Sequence, residues 1–149
     1  MDIVTPEQRS KNMAAIQSKN TKPEIYFRKL LFAKGYRYSL NSKTIPGHPD
    51  IYLKKYNTAV FVHGCFWHRH EECKFAYMPK SRIEFWQNKF EANQKRDSVV
   101  KNELHKKGIK DIVIWECSIK RMQKDEEFQT RLLNKVEDFL KSEDSFMEL

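Results

Sequence analysis

The sequence predicts an α/β fold, with a mixed central β-sheet flanked by helices. Three observations predict it. Helix-start signals and strand-like runs follow in the order α-α-β-β-β-α-β-α, the pattern of a small mixed sheet with helices packed on it. The run at residues 58–62 is almost wholly apolar, as a central strand is, and the run at 109–115 reads as a second buried strand. A chain of 149 residues suits one domain with one core and is too short for two full ones.

Taken in order, Thr5-Pro6-Glu7-Gln8 starts a first helix, with Thr as N-cap, Pro at N1 and Gln closing a capping box. Arg9, Ser10, Lys11 and Asn12 make it polar, and Met13, Ala14 and Ile16 are its only apolar content. A helix of that kind buries little and suits docking on a partner. Thr21-Lys22-Pro23-Glu24 is a second capping signal. Ile25, Phe27, Leu30, Leu31 and Ala33 follow at mostly helical spacing, and Gly35 can end the helix. Residues 36–40 alternate like a strand, and 41–49 carry turn chemistry. Residues 50–53 and 58–62 read as a hairpin pair. Ser81 opens a long polar helix that ends at Gly108. Phe128, Leu132, Leu133, Val136, Phe139 and Leu140 mark an amphipathic closing helix.

Charge narrows the function classes. Lys and Arg number 28 against 20 Asp and Glu, a net charge of +8. Residues 121–149 carry 5 basic and 8 acidic side chains, so the positive excess lies in residues 1–120. Such a surface suits a polyanion and equally a merely solvated basic face. No apolar run approaches the ~20 residues of a membrane span. The first residues lack the basic and apolar regions of a secretory signal, so a cytoplasmic location is expected.

Cys65, Cys73 and Cys117 are odd in number, which disfavours a disulfide framework. Three of five histidines (His63, His68 and His70) fall beside Cys65 and Cys73. Cys65, His70, Cys73 and Cys117 supply the donor types that zinc prefers, and a four-ligand site would be closed and structural. It would staple the irregular segment 64–80, which has little core of its own. His68 is a competing imidazole, and thiols buried as small hydrophobes are the plain alternative.

Asp50 follows Pro46-Gly47-His48-Pro49 at a strand start, and the neighbouring strand ends at Val62-His63. A carboxylate at that edge can hold Mg²⁺ near a phosphodiester, or can simply cap the turn. His63 and His68 lie close enough to serve as base, acid or water-positioning groups. Asp97 sits mid-helix, where an exposed pairing with Lys101 one turn on is the plain reading. Phe66-Trp67 places two large rings on the Cys/His loop. They can wedge between base steps or pack around a metal. Met13 can act as a wedge too, although contact with the core is its default.

Six blocks of the sequence together resemble the very short patch repair (Vsr) endonuclease family. They are Arg9-Ser10-Lys11-Asn12-Met13, Pro46-Gly47-His48-Pro49-Asp50, His63-Gly64-Cys65-Phe66-Trp67-His68, Phe85-Trp86, Asn93-Gln94-Lys95-Arg96-Asp97 and Trp115-Glu116-Cys117. The resemblance runs from about residue 7 to residue 120. It implies a fold like that of type II restriction endonucleases with a structural zinc site. It also implies Mg²⁺-dependent nicking of duplex DNA 5′ of the T in a T:G mismatch, the product of 5-methylcytosine deamination, leaving a 5′-phosphate.

By position, Asp50 matches the family's Mg²⁺-binding aspartate, with the Val62 backbone carbonyl as a second ligand. His63, His68 and Asp97 match its other catalytic positions. His68 is the imidazole in proton transfer, and His63 and Asp97 are expected to hold metal-bound waters. Glu24 matches an acidic residue near the metal. Cys65, His70, Cys73 and Cys117 match the Zn²⁺ ligands, and Met13, Phe66 and Trp67 match the intercalating residues; Arg9, Lys11 and Asn12 accompany Met13 in contacting DNA.

Three departures stand out. Val62 replaces the Thr of the best-known members, the His70–Cys73 spacing is one residue longer, and the Glu-x-Lys usual in nucleases is absent, as it is in the family. The single domain then divides into a DNA-contacting helix at 1–20, a catalytic core at 21–120 with the zinc loop at 64–80, and a C-terminal helix at 121–149. A monomer, nucleoid-associated when bound to DNA, is expected, with mismatch-repair proteins as candidate partners. A nuclease with different target rules and a non-catalytic zinc-stabilised DNA-binding module are the competing readings.

Overall fold

One five-stranded sheet organises residues 21–149, the part of the chain that the computed structural model describes. The helix expected over the first twenty residues, with Arg9, Lys11, Asn12 and Met13, lies outside the described residues. The elements run α1 (Lys22–Ala33), β1 (Ser39–Leu40), β2 (Ile51–Leu53), a 3₁₀ turn (Lys54–Tyr56) and β3 (Thr58–His63). They continue as α2 (Ile83–Lys106), β4 (Lys110–Trp115), α3 (Glu116–Lys124), α4 (Glu126–Lys141) and β5 (Phe146–Glu148). Spatial order follows chain order. β1, β2 and β3 pair antiparallel, whereas β3–β4 and β4–β5 pair parallel, so the sheet is mixed and β3 is its central strand.

The period-2 alternation of strands sorts side chains onto two faces. Ile51, Leu53, Val60, Ile112 and Ile114 point into the larger core. There they meet Phe27 and Leu31 of α1, Ile119 and Met122 of α3, and Leu132, Leu133, Val136, Phe139 and Leu140 of α4. Ala59 points to the opposite face. It packs against Leu104 of α2 and Ile109, with Phe61 and Val100 alongside. One face therefore carries three helices and the stability of the fold. The other carries only the long polar helix α2, and between α2 and the sheet there is room for a cleft.

Local chemistry explains the starts. Thr21 Oγ1 accepts the Glu24 amide and Glu24 Oε2 accepts the Thr21 amide, a complete capping box with Pro23 in the first turn. Asp125 caps α4 by accepting the Phe128 amide at 3.1 Å. His105 in the last turn of α2 meets the buried Asp111 of β4 at 2.9 Å, which pins the helix end to the sheet.

The structure corrects four expectations of element placement. The strand at 36–40 shrinks to Ser39–Leu40, because Tyr38 turns its hydroxyl to the Arg28 carbonyl of α1 at 2.8 Å. The long helix opens at Ile83 rather than Ser81, after Arg82 in the left-handed region. A helix, α3, directly follows β4 and runs across position 121. The last residues do not end in a helix alone: β5 joins the sheet beside β4.

Gly47 shows how tightly the turn before β2 is packed. Its φ is +80°, and a Cβ there would lie 2.5 Å from Val100 Cγ1 of α2. Gly47→Ala combines backbone strain with that clash. It is expected to lower unfolding free energy by about 2 kcal/mol in urea titration. An unchanged midpoint would show that the turn and α2 move apart at little cost.

Candidate functional site

The cleft between the sheet and α2 has a volume of about 560 Å³. Its walls are the turn at Gly47 and His48, Asp50, the end of β3, the end of β4 and one stripe of α2. On that stripe Asn93, Asp97, Val100 and Leu104 recur at helical spacing. Phe61 and His63 stand on the cleft face of β3, whereas the Val62 side chain packs into the larger core on the opposite face.

Asp50 reaches across the sheet edge. Its Oδ2 accepts the Val62 amide at 2.7 Å, so it bridges two strands rather than only capping its own turn. Register explains why the bridge exists. Ile51 pairs with Val60, so extending the ladder sets Pro49 opposite Val62. Proline has no N–H, and the Val62 carbonyl, which projects to the same side as its amide, gets no ladder donor from that position. Carboxylate and carbonyl thus share one edge. Burial pushes the Asp50 carboxyl up to about 7, against the Val62 hydrogen bond, and the charge of Glu24 raises it further. Glu24 is itself buried, and its Oε1 has no hydrogen-bond partner among the described residues, although Arg28 Nη1 lies 3.6 Å away. Two desolvated carboxylates that feel each other's charge suit a divalent cation.

His68 Nδ1 lies 2.7 Å from Asp97 Oδ2. An ionised carboxylate can only accept, so this bond puts the proton on Nδ1 and the lone pair on Nε2. Asp97 is therefore committed to His68. The pairing with Lys101 does not form, and Lys101 instead covers the Phe146 ring at 3.4 Å. His63 stacks on His68, with centroids 3.9 Å apart and planes 6° from parallel. Burial, and then the neighbouring His68, lower the His63 imidazole to about 3, so it is neutral across the physiological range. His63, His68 and Asp97 bring their donor atoms within 4.8 Å of one another.

A second cluster lies at the same end of the sheet. The donor atoms of Cys65, His70, Cys73 and Cys117 all fall within 4.8 Å of one another, and His70 Nδ1 is 3.3 Å from Cys117 Sγ. A tetrahedral zinc site sets such nitrogen and sulfur ligands about 3.5 Å apart, so the donor set fits. Burial pushes the Cys65 thiol up to about 12, and a bound cation is what would draw it to thiolate. Cys117 follows the end of β4 directly, in the first turn of α3.

Two features went unread in the sequence. Arg69, left-handed at φ 55°, donates to the carbonyls of Phe66, Ala76 and Tyr77 and stacks 4.1 Å above Phe90. One guanidinium thereby organises the segment alongside any metal, and no local motif announces it. Asn93, one turn before Asp97, donates to the Trp67 carbonyl at 3.2 Å. The spacing of Asn93 and Asp97 was visible, but their loop partners were not.

Phe66 sits among Trp67, Tyr77, Trp86 and Phe90 at centroid distances of 5.1–5.6 Å. Trp67 contacts Phe66 and Trp86 and has Lys89 5.7 Å above it. Both rings are half-buried.

The chain is similar to known proteins over most of its length. The family model described as DNA mismatch endonuclease Vsr matches residues 1–74. The type II nicking enzyme V.NmeAIP of Neisseria meningitidis serogroup A is 46% identical over 137 residues, covering 92% of this chain and 97% of that protein. V.XorIIP of Xanthomonas oryzae pv. oryzae, also a type II nicking enzyme, is 42% identical over 118 residues, 79% of this chain and 86% of its own. The DNA mismatch endonuclease Vsr of Escherichia coli K12 is 35% identical over 133 residues, 88% of this chain and 85% of that one. With that identity and coverage, the chain belongs to the Vsr family and is a DNA endonuclease.

Proposed function

We propose that this endonuclease nicks duplex DNA 5′ of the T in T:G mismatches that arise from deaminated 5-methylcytosine, starting very short patch repair. The observation that carries the reading is the convergence in one cleft of Asp50, the Val62 backbone, His63 and the His68–Asp97 pair. The names of the relatives support strand nicking and mismatch action.

Asp50 and the Val62 carbonyl, with Glu24 nearby, would supply oxygen ligands for Mg²⁺. The ion would polarise the scissile phosphate and stabilise charge on the leaving 3′-oxygen. His68 takes the proton of the attacking water at Nε2. Asp97 fixes the ring and favours the imidazolium that forms. His63, neutral and stacked on His68 at 3.9 Å, holds the His68 ring plane in place. The basic surface supplies affinity independent of sequence. Phe66, Trp67 and Met13 are the candidate wedges, and unstacking costs least where pairing is already weak. Cys65, His70, Cys73 and Cys117 would hold Zn²⁺ as a structural staple.

Nicking assays on labelled duplexes with Mg²⁺ test this reading. Asp50→Ala and His68→Ala are expected to slow nicking by more than about 100-fold while DNA binding stays near wild type. Equal cutting of T:G and T:A duplexes would sink the mismatch specificity. Binding without cutting of any duplex would favour a DNA-binding module instead.

Elemental analysis is expected to find zinc in the wild type and less of it in Cys117→Ser, which should also melt at a lower temperature. A zinc-free wild type of full stability would refute the staple.

The carboxyl of Asp50 gives a pH signature. Its folded value of about 7 exceeds the ordinary 3.8, so the folded chain binds the extra proton between these values and loses stability as pH rises through that window. Asp50→Asn keeps an acceptor for the Val62 amide and removes the charge. In metal-free buffer its Tm should match wild type near pH 4 and exceed it at pH 8. A lower Tm at pH 8 would contradict the buried-charge account.

A further inference from the structure

Trp115 is where three parts of the molecule meet. It ends β4 and is buried. Its indole stacks on the His70 ring, with centroids 4.2 Å apart and planes 8° from parallel. Its edge faces the His63 ring at 5.3 Å. One indole therefore backs a ligand of the Cys/His cluster and an imidazole of the cleft. Its remaining polar atom, Nε1, donates to Glu148 Oε1 at 2.8 Å.

Glu148 comes from β5, in the acidic last 29 residues of the chain. The strand is locked to β4 by its backbone: the Asp111 amide donates to the Ser145 carbonyl at 3.0 Å, the Leu149 amide to the Val113 carbonyl at 2.8 Å, and the Trp115 amide to the Leu149 carbonyl at 3.0 Å. Trp115 is thus gripped twice by the last residues, once through its amide and once through its indole. Glu148 also lines the same cleft as His63, His68 and Asp97. Its carboxylate is exposed, so it meets the indole N–H without the desolvation cost that a buried charge carries.

We propose that Glu148 is a positioning residue for nicking: it fixes the Trp115 indole, and the indole in turn fixes His63 against His68 and His70 within the metal cluster. An indole without this acceptor can rotate about its side-chain torsions and relax both imidazoles at once. The proposal rests on the assignment of His63 and His68 to the reacting site.

The test uses the full-length, zinc-replete protein with a nickable duplex under single-turnover conditions. Glu148→Ala is expected to nick about ten-fold more slowly at saturating enzyme, the range found when a partner of a metal or catalytic ligand is removed, with DNA affinity within about two-fold of wild type. It should also release zinc faster to a chelator. Glu148→Gln, whose amide oxygen can accept the same bond, should restore both rate and zinc retention. Glu143→Ala, in the same acidic segment, should change neither. A residue that merely helped β5 pack would lower Tm in the Ala and Gln variants alike and leave the rate intact well below melting.

A wild-type rate for Glu148→Ala would overturn the proposal, as would Glu148→Gln failing as badly as Ala. His63→Ala separates the two levels of the argument. If it is inactive while Glu148→Ala is normal, only the positioning role is lost. If it nicks normally, the site assignment falls and takes the positioning role with it.

Discussion

The parallel pairing of β3 with β4 governs the rest of the structure. Six residue pairs run in register from Thr58↔Lys110 to His63↔Trp115, so both strands leave the sheet at the same level. The residues just beyond the two strands are therefore brought side by side: Gly64-Cys65 after β3, and Glu116-Cys117 after β4. Neither pair could find the other locally, since they lie far apart in the chain. A shift of one residue in the ladder would turn His63 and Trp115 to opposite faces of the sheet and pull Cys65 away from Cys117. The carboxyl ends of parallel strands are the usual place for ligands in α/β sheets, because loops and helix starts converge there. Here that end holds two clusters of donors with one indole between them.

Electrostatics sets the character of each cluster. At the edge of β2 and β3, burial works against the charge of Asp50 and Glu24 adds to the load, so the carboxylates are poised for a cation. Around His63 the same burial acts with opposite sign, because there the charged form is the cation. The cleft thus disfavours negative charge at one wall and positive charge at the other. Asp97, whose carboxylate is one-third exposed, holds the His68 ring through Nδ1. Burial and the stacked His68 keep His63 neutral, and burial together with the charge of Glu24 works against ionisation of Asp50. A divalent ion and a DNA phosphate bring the charges that this arrangement accommodates.

Much of this was legible in the sequence, and the remainder was hidden for physical reasons. The capping box at Thr21–Glu24, the apolar runs of β3 and β4 and the amphipathic pattern of α4 are local signals, and local signals survive into the fold. The Cys/His set was readable because its donor types are few and chemically specific. The short helix α3 was not readable. It begins at once after a strand, with Trp115 as its N-cap and no side-chain cap bond, so no start signal marks it. β5 is three residues long, and strand pairing is decided by the neighbour it finds rather than by its own sequence. The fork of Arg69 onto three carbonyls depends on a left-handed backbone that only the assembled loop imposes.

The substitution of Val62 for the family's more familiar Thr can be weighed from the same geometry. Side chains on β3 alternate between faces, and Phe61 and His63 take the cleft. Val62 is then bound to face the larger core, where it packs beside the buried residues that include Val60 and Ile114. A hydroxyl at that position would enter an apolar layer and would not approach Asp50 or His68. Only the backbone of residue 62 reaches the cation edge, where its amide is tied to Asp50 and its carbonyl lies on the same side, opposite a proline. Any β-branched residue presents the same backbone, and Val adds better burial on the core side. The position therefore selects for strand geometry and an apolar side chain, and the chemistry assigned to it is carried by atoms that every residue type possesses.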